Sequence, residues 1–203
     1  MSAISPELLR RFDVSGPRYT SYPTADRFVE AFGEADYMRA LGQRSAGVAV
    51  RPLPLSLYIH IPFCESLCYY CACNKVVTKH HEHGSEYLRY LSREVDLHVA
   101  QLGLGNPVSQ LHLGGGTPTF LSDDELSALV AMLKRNFSFA PQGEYSIEID
   151  PRTIDDTRLA VLRELGFNRL SYGVQDFDPA VQKAVHRIQS FEEVRALTLS
   201  ARE

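Results

Sequence analysis

All the cysteines of the chain lie in one short segment, residues 64–73, "CESLCYYCAC". They are Cys64, Cys68, Cys71 and Cys73, which gives the spacing C-x3-C-x2-C-x-C. Thiols this close in sequence can form disulfides, hold a structural zinc ion or hold an iron–sulfur cluster. Disulfides are the weakest of the three interpretations, because the sequence has no partner cysteine elsewhere.

The choice between zinc and a cluster depends on how the ligands are distributed. A zinc site would draw further ligands from His80, His81 or His83. Zinc sites usually clamp two separated segments with two ligands from each, whereas all the thiols here lie on one loop. Three thiolates can instead hold a four-iron cluster and leave one iron open to a substrate or cofactor. The pattern favours the open-sided cluster, and the zinc site remains the alternative.

The elements around this loop follow a regular alternation. Strands are predicted at residues 55–61, 108–113, 145–150 and 169–175, and helices at 86–102, 122–137, 154–167, 180–187 and 190–203. This alternation predicts an α/β fold with a parallel sheet, in which functional groups lie at the carboxyl ends of the strands. The cysteine loop directly follows the first strand, so we expect it at that edge.

Helix-end signals support these assignments. Ser122 with Glu125, and Ser190 with Glu193, form the S-x-x-E pattern of a capping box at a helix start. Gly166 stands where the helix predicted over 154–167 should end, as glycine commonly does.

Two domains are predicted. Residues 1–50 read as an irregular arm with a short helix over 29–44, and residues 51–203 as four βα units. Four strands cannot close a barrel, so we expect the front portion of a larger barrel whose chain stops before the barrel is complete.

Composition excludes several classes of protein. A net charge of −4 argues against a dedicated nucleic-acid or membrane-surface binder, and 44% hydrophobic residues is typical of a globular domain. The N-terminus lacks the apolar region of a signal peptide, and no apolar run is long enough to span a bilayer. We therefore expect a cytoplasmic protein with reduced or metal-bound thiols, and neither a nucleic-acid nor a membrane partner.

Together these features resemble a known superfamily. The spacing C-x3-C-x2-C after the first strand is that of the radical S-adenosylmethionine (SAM) enzymes. Within that superfamily, several segments resemble the oxygen-independent coproporphyrinogen III oxidases: "SGPRYTSYPTA", "CYYCACNKVVT", "QLHLGGGTPTFL", "SIEIDPRTI" and "GFNRLSYGVQDFDPAVQKAVHR". The resemblance extends over roughly residues 10–200.

The resemblance implies a partial radical-SAM (β/α) barrel and assigns site residues. Cys64, Cys68 and Cys71 would ligate a [4Fe-4S] cluster, whereas Cys73 would belong to the motif without being a ligand. Two SAM molecules are implied. Contacts to the first map onto Tyr58, Gly115 and Glu148, and contacts to the second onto Tyr70, Gly116, Thr117, Gln175 and Arg187.

The implied reaction is the oxidative decarboxylation of coproporphyrinogen III to protoporphyrinogen IX by a 5′-deoxyadenosyl radical, a step of heme biosynthesis. It requires an electron donor and an electron acceptor that the sequence does not identify, and no catalytic residue is assigned. Arg18 and Lys75 are our hypotheses for binding the anionic substrate. We expect the short chain to be inactive alone. The alternatives are a related radical SAM protein that handles heme and a zinc-binding module without catalytic activity.

Two positions depart from the pattern of the oxidases. Residue 72 is Ala where glycine is usual, and residue 70 is Tyr where Phe is common. If residue 72 required a positive φ, Ala would add about 1 kcal/mol of local strain.

Overall fold

The computed structural model describes residues 5–13, 24, 27–45 and 53–203. The chain divides into two units, Met1–Gln43 and Arg44–Glu203. Helix α1 (Pro6–Phe12) begins after Ser5, whose hydroxyl accepts a hydrogen bond from the backbone N–H of Leu8. Helix α2 spans Glu34–Ser45 and so begins later than the helix predicted over 29–44. Most of the arm motif at residues 15–25, and the predicted domain boundary at residue 50, lie outside the described residues.

Six strands follow in the described residues. They are β1 (Leu55–Ile61), β2 (Phe63–Cys64), β3 (Val76–Val77), β4 (Asn106–Gly115), β5 (Phe137–Ile149) and β6 (Arg169–Tyr172). The main sheet has the order β1-β4-β5-β6 with every neighbouring pair parallel. Spatial order follows chain order, as in a barrel, without the reversal of a doubly wound sheet. The predicted α/β fold with a parallel sheet is confirmed.

The five later helices are α3 (Glu82–Leu102), α4 (Asp123–Asn136), α5 (Asp156–Leu165), α6 (Pro179–Ala184) and α7 (Phe191–Ser200). Both predicted capping boxes form, at Ser122 and at Ser190. Gly166 ends α5 in the left-handed conformation, with φ of 101°. No helix of the described residues has the length and apolarity needed to cross a membrane.

Helix α3 begins earlier than the predicted residue 86. Its first turn packs against the start of α4, where Ser85 Oγ donates a hydrogen bond to Glu125 Oε1 at 2.5 Å. A Cβ added at Gly84 would lie 3.0 Å from the Glu125 carboxylate and from Leu121. The contact between the helices therefore favours a helical turn that the local sequence, rich in histidine, does not predict.

Strand β5 is longer and β6 shorter than predicted. Residues 137–139 pair with the start of β4 before a register shift, so the strand begins at Phe137 instead of the predicted residue 145. β6 ends at Tyr172, because the chain then turns through Gly173 towards Gln175, whose φ is +67°. The small β2–β3 sheet was not predicted.

The core lies between the sheet and helices α3, α4 and α5. Ile61, Leu113 and Ile147, on three adjacent strands, have no exposed surface, and Leu133 and Leu162 on the helices are buried to the same degree. Helices covering this face hold the strands in register. The carboxyl ends of the strands thus share one edge, where Ile61 pairs with Gly115 and Ile149 with Tyr172.

We expect Leu113→Ala to reduce the free energy of unfolding by about 2–5 kcal/mol, because it leaves a cavity in the centre of the sheet. The matched control is Leu97→Ala, since Leu97 is 64% exposed on α3. That change should stay within about 0.5 kcal/mol of the unsubstituted chain. Urea denaturation followed by circular dichroism measures both, and equal losses would contradict the described core.

Candidate functional site

A cavity of about 650 Å³ opens at the carboxyl ends of the strands. Its lining includes ten of the eleven residues that the sequence assigned to the site: Cys64, Cys68, Tyr70, Cys71, Gly115, Gly116, Thr117, Glu148, Gln175 and Arg187. The remaining residue, Tyr58, is not part of the lining. The topology therefore brings side chains from four strand ends to one place, as parallel strands predict.

The cysteine loop is closed at its base by β2 and β3, which pair in parallel. Backbone hydrogen bonds join Val76 N–H to Pro62 O at 2.7 Å and Thr78 N–H to Cys64 O at 2.9 Å. Within the loop, the Lys75 ammonium donates to the carbonyl oxygens of Cys71 at 3.2 Å and Cys73 at 3.4 Å. Lys75 therefore stabilises the loop itself, and its ammonium is engaged by these carbonyls.

The far side of the loop is docked on the segment between α6 and α7. Tyr69 N–H donates to Val185 O at 3.1 Å, and His186 Nδ1 lies 2.8 Å from Leu67 O. The rings of Tyr69 and His186 stack with their centroids 5.1 Å apart. The contact of His186 with Leu67 joins residues that are 119 positions apart in sequence. The loop is thus held at both ends, which fixes where its thiols point.

The cysteine thiols act on one another across the cavity. Thr117 Oγ1 lies 3.6 Å from Cys64 Sγ and donates to it. Burial raises the pKa of Cys64, and the neighbouring thiolates of Cys71 and Cys68 raise it further against the effect of Thr117. Burial likewise raises the pKa of Cys73, as does its hydrogen bond to Cys71.

These thiols fit a cluster better than a single ion. Across residues 5–13, 24, 27–45 and 53–203, no three His, Cys, Asp or Glu side chains come together closely enough to bind one metal ion. Cys64, Cys68 and Cys71 instead line the same cavity. A cluster that takes each thiolate on a different iron suits this wider arrangement.

Gly115, at the end of β4, and the following Gly116 are required for contact with the cysteine segment. Gly115 has φ of 119°, and a Cβ there would lie 2.8 Å from Ile61 O. At Gly116 a Cβ would lie 2.6 Å from Phe63 O and 2.9 Å from Cys64 Sγ. No side chain fits either place, so both glycines are needed for this close approach of the two backbones.

Glu148 lies near the end of β5 and lines the cavity, between the buried Ile147 and Ile149, as the alternation predicts. Its Oε2 accepts a hydrogen bond from Gly115 N–H at 3.2 Å. Its Oε1 lies 3.3 Å from His112 Nε2, and His112 Nδ1 lies 2.6 Å from Ser146 Oγ. The carboxylate is thus fixed from two sides.

His112 was not assigned from the sequence, although a histidine in an otherwise apolar strand was a usable signal. Its ring stacks on Tyr58, with centroids 5.8 Å apart and planes 15° apart. The Tyr58 hydroxyl lies 3.0 Å from His60 Nδ1. Burial, then the charge of Glu148, raises the pKa of Tyr58, which keeps its hydroxyl protonated.

Asp150 and Arg152 were also missed, although they directly follow β5 at the functional edge. Asp150 binds the guanidinium of Arg152 through both carboxylate oxygens and that of Arg187 at 3.1 Å. Arg187 in turn donates to Cys68 Sγ at 3.5 Å and, through Nε, to Gly173 O at 2.7 Å. A charged network therefore lies directly beside one of the predicted cluster ligands.

Three further expectations concern Arg18, Ala72 and Tyr70. Arg18 lies outside the described residues. Among those that are described, the non-glycine residues with positive φ are Gln175 and His186, so Ala72 carries none of the strain considered for it. Tyr70 lines the cavity and is 45% exposed, which leaves its ring accessible.

The chain is similar in sequence to several enzymes of one name. The chain is 52% identical over 199 residues to the oxygen-independent coproporphyrinogen III oxidase of Pseudomonas aeruginosa, covering 97% of this chain and 42% of that protein. The enzymes of that name from Escherichia coli and Helicobacter pylori (strain J99) are 49% and 43% identical, with 41% and 44% of their lengths covered. The chain thus spans about two fifths of these relatives. The resemblance drawn from the motifs is confirmed.

A solved structure shares the fold. Coproporphyrinogen III oxidase from E. coli, described as a radical SAM enzyme, matches with a TM-score of 0.79 at 49% identity, over 91% of this chain and 41% of that one. The profile of the Radical SAM superfamily matches residues 58–203, which contain most of the sheet, the cysteine loop and the lining of the cavity. The chain belongs to the radical SAM superfamily.

Proposed function

We propose that this chain carries the cluster-binding and SAM-binding part of an oxygen-independent coproporphyrinogen III oxidase. The observation that supports this most directly is one cavity lined by Cys64, Cys68 and Cys71 together with seven of the eight residues expected to contact SAM. The superfamily implies a [4Fe-4S] cluster and SAM. The assignment of particular ligands and contacts to this chain is our proposal.

In this proposal Cys64, Cys68 and Cys71 bind the cluster, and Cys73 remains free. When bound, the cluster supplies the electron that cleaves the SAM sulfonium and so starts radical chemistry. The docked loop holds the three thiols towards the cavity, whereas Cys73 is exposed.

Two oppositely charged side chains, Glu148 and Arg187, are suited to different parts of a SAM molecule. Glu148, fixed by His112 and by Gly115 N–H, offers a carboxylate to a cationic or hydroxyl-bearing part of the first molecule. Tyr58 and Gly115 complete that set. Arg187, with Tyr70, Gly116, Thr117 and Gln175, would contact a second molecule in the same cavity. A guanidinium there suits a carboxylate.

The substrate would be coproporphyrinogen III, as the names of the relatives indicate. Two of its propionate side chains would each lose a hydrogen atom from the β-carbon to the deoxyadenosyl radical, then release carbon dioxide and pass one electron to an external acceptor, leaving a vinyl group. An electron donor is needed as well, and neither partner is identified. Reduced thiols suit a cytoplasmic location.

The cluster assignment predicts different outcomes for two cysteine-to-serine changes. After anaerobic reconstitution with iron and sulfide, Cys73→Ser should retain the iron and acid-labile sulfide of one [4Fe-4S] cluster. Cys68→Ser should lose most of both, because a ligand is removed. Metal and sulfide analysis, with electron paramagnetic resonance of the reduced protein, measures this.

Further outcomes separate the alternatives. Addition of SAM should shift the resonance signal if one iron is open. A cluster that Cys73→Ser abolishes would overturn the ligand set. Zinc without sulfide in the unsubstituted chain would favour the zinc-binding module and overturn the proposed function.

Glu148→Gln should weaken SAM binding to the reconstituted chain by about tenfold to a hundredfold. A hydrogen bond to a charged group contributes roughly 1.5–3 kcal/mol, and about 1.4 kcal/mol corresponds to tenfold. The control is Glu144→Gln on the same strand, where the carboxylate pairs with Arg169 at 2.6 Å. Isothermal titration calorimetry compares them, and equal affinities in both variants would remove Glu148 from the site.

A further inference from the structure

Asp150 is an ionised group in a place where water does not solvate it. Its side chain is 7% exposed, and that of Arg187 is 9% exposed. Burial alone would raise the pKa of Asp150, but the hydrogen bonds from Arg152 and the charge of Arg187 outweigh it and hold the pKa below its usual value. A buried carboxylate is stabilised in this way only when its partners remain in place.

Asp150 binds two cationic side chains, those of Arg152 and Arg187. Arg152 Nε lies 2.9 and 3.1 Å from the two carboxylate oxygens, and its terminal nitrogen lies 2.5 Å from Oδ2. Arg187 binds Oδ1 at 3.1 Å from the other direction. Gly173 leaves the space that this requires, because a Cβ there would lie 2.9 Å from the Arg187 guanidinium.

Both arginines line the cavity together with the Cys68 thiol, and one of them contacts it. Arg187 donates to Cys68 Sγ at 3.5 Å. The pKa of Arg152 is raised first by its hydrogen bond to Asp150, and the thiolate of Cys68 also contributes. One carboxylate with two guanidiniums leaves one net positive charge beside Cys68, in surroundings of low dielectric.

We propose that Asp150 is a positioning residue that holds Arg152 and Arg187 against Cys68 and thereby raises the reduction potential of the cluster. Net charge and hydrogen bonds to the ligand sulfurs are among the factors that set the potential of an iron–sulfur cluster. Reduction adds a negative charge, so a cation fixed at Cys68 stabilises the reduced form. The proposal rests on the proposed function, because it needs a cluster on Cys68.

The first experiment measures anchoring without the cluster. In the cluster-free chain with 15N-labelled arginine, the Nε–H resonances of Arg152 and Arg187 should be protected from solvent exchange, because they donate to Asp150 and to Gly173 O. Asp150→Asn should remove this protection at both arginines. Asp155→Asn is the matched control, since Asp155 caps α5 and asparagine caps a helix equally well. Protection unchanged in Asp150→Asn would overturn the proposal.

The second experiment measures the consequence in the reconstituted chain. Asp150→Asn should lower the reduction potential of the cluster by about 59 mV. For a one-electron couple, this corresponds to an about tenfold fall in the ratio of reduced to oxidised cluster at a fixed solution potential. Asp150→Glu, which keeps a carboxylate, should recover most of this shift, and Asp155→Asn should cause none. Redox titration followed by electron paramagnetic resonance gives the values.

The possible outcomes distinguish a failure of this inference from a failure of the proposed function. A rise in potential in Asp150→Asn would show that the guanidiniums stay without their anchor, and an unchanged potential would show that they have no influence; either overturns the inference. Absence of a cluster in the unsubstituted chain is a failure of the proposed function instead. If Asp150→Asn does not fold, Arg187→Lys serves, because lysine keeps the charge but cannot donate to Asp150, Gly173 O and Cys68 together. An unchanged potential there would also overturn the inference.

Discussion

The site depends on the close contact between the end of β4 and the start of the cysteine loop. Beyond the paired strands, Gly116 N–H donates to Ile61 O and Thr117 N–H to Phe63 O, both at 2.8 Å. The two backbones approach so closely that a Cβ at Gly116 would meet both Phe63 O and Cys64 Sγ. The first cysteine is therefore positioned by backbone contacts that any larger residue would prevent.

Around this contact the cavity carries two differently charged groups of side chains. Glu148 faces the β4 end, where His112 and Gly115 N–H hold it. Beyond it in the chain, Asp150 gathers Arg152 and Arg187 near Cys68. The two carboxylates, Glu148 and Asp150, alternate along the chain with the buried Ile147 and Ile149. The period of the strand thus explains why consecutive polar groups point into one cavity.

Much of this was predictable from local patterns. The residues of β1, both capping boxes and the end of α5 at Gly166 depend on interactions within a few positions, and they form as predicted. The edge that carries the site follows from the parallel order of strands. The boundaries that differ, at α3 and β5, depend on packing between elements distant in sequence, as Gly84 against Glu125 illustrates.

The least predictable feature is the docking of the cysteine loop on residues 185–187. A stacked Tyr69–His186 pair and the Arg187–Cys68 contact join segments that no spacing in the sequence relates. The motif resemblance assigned Arg187 to SAM, and the structure adds that the same guanidinium touches a predicted cluster ligand. If both roles hold, a SAM carboxylate arriving at Arg187 competes with Asp150 and Cys68 for its hydrogen bonds. Occupancy of the second position would then alter the charge beside the cluster, which links cofactor binding to reduction through one side chain.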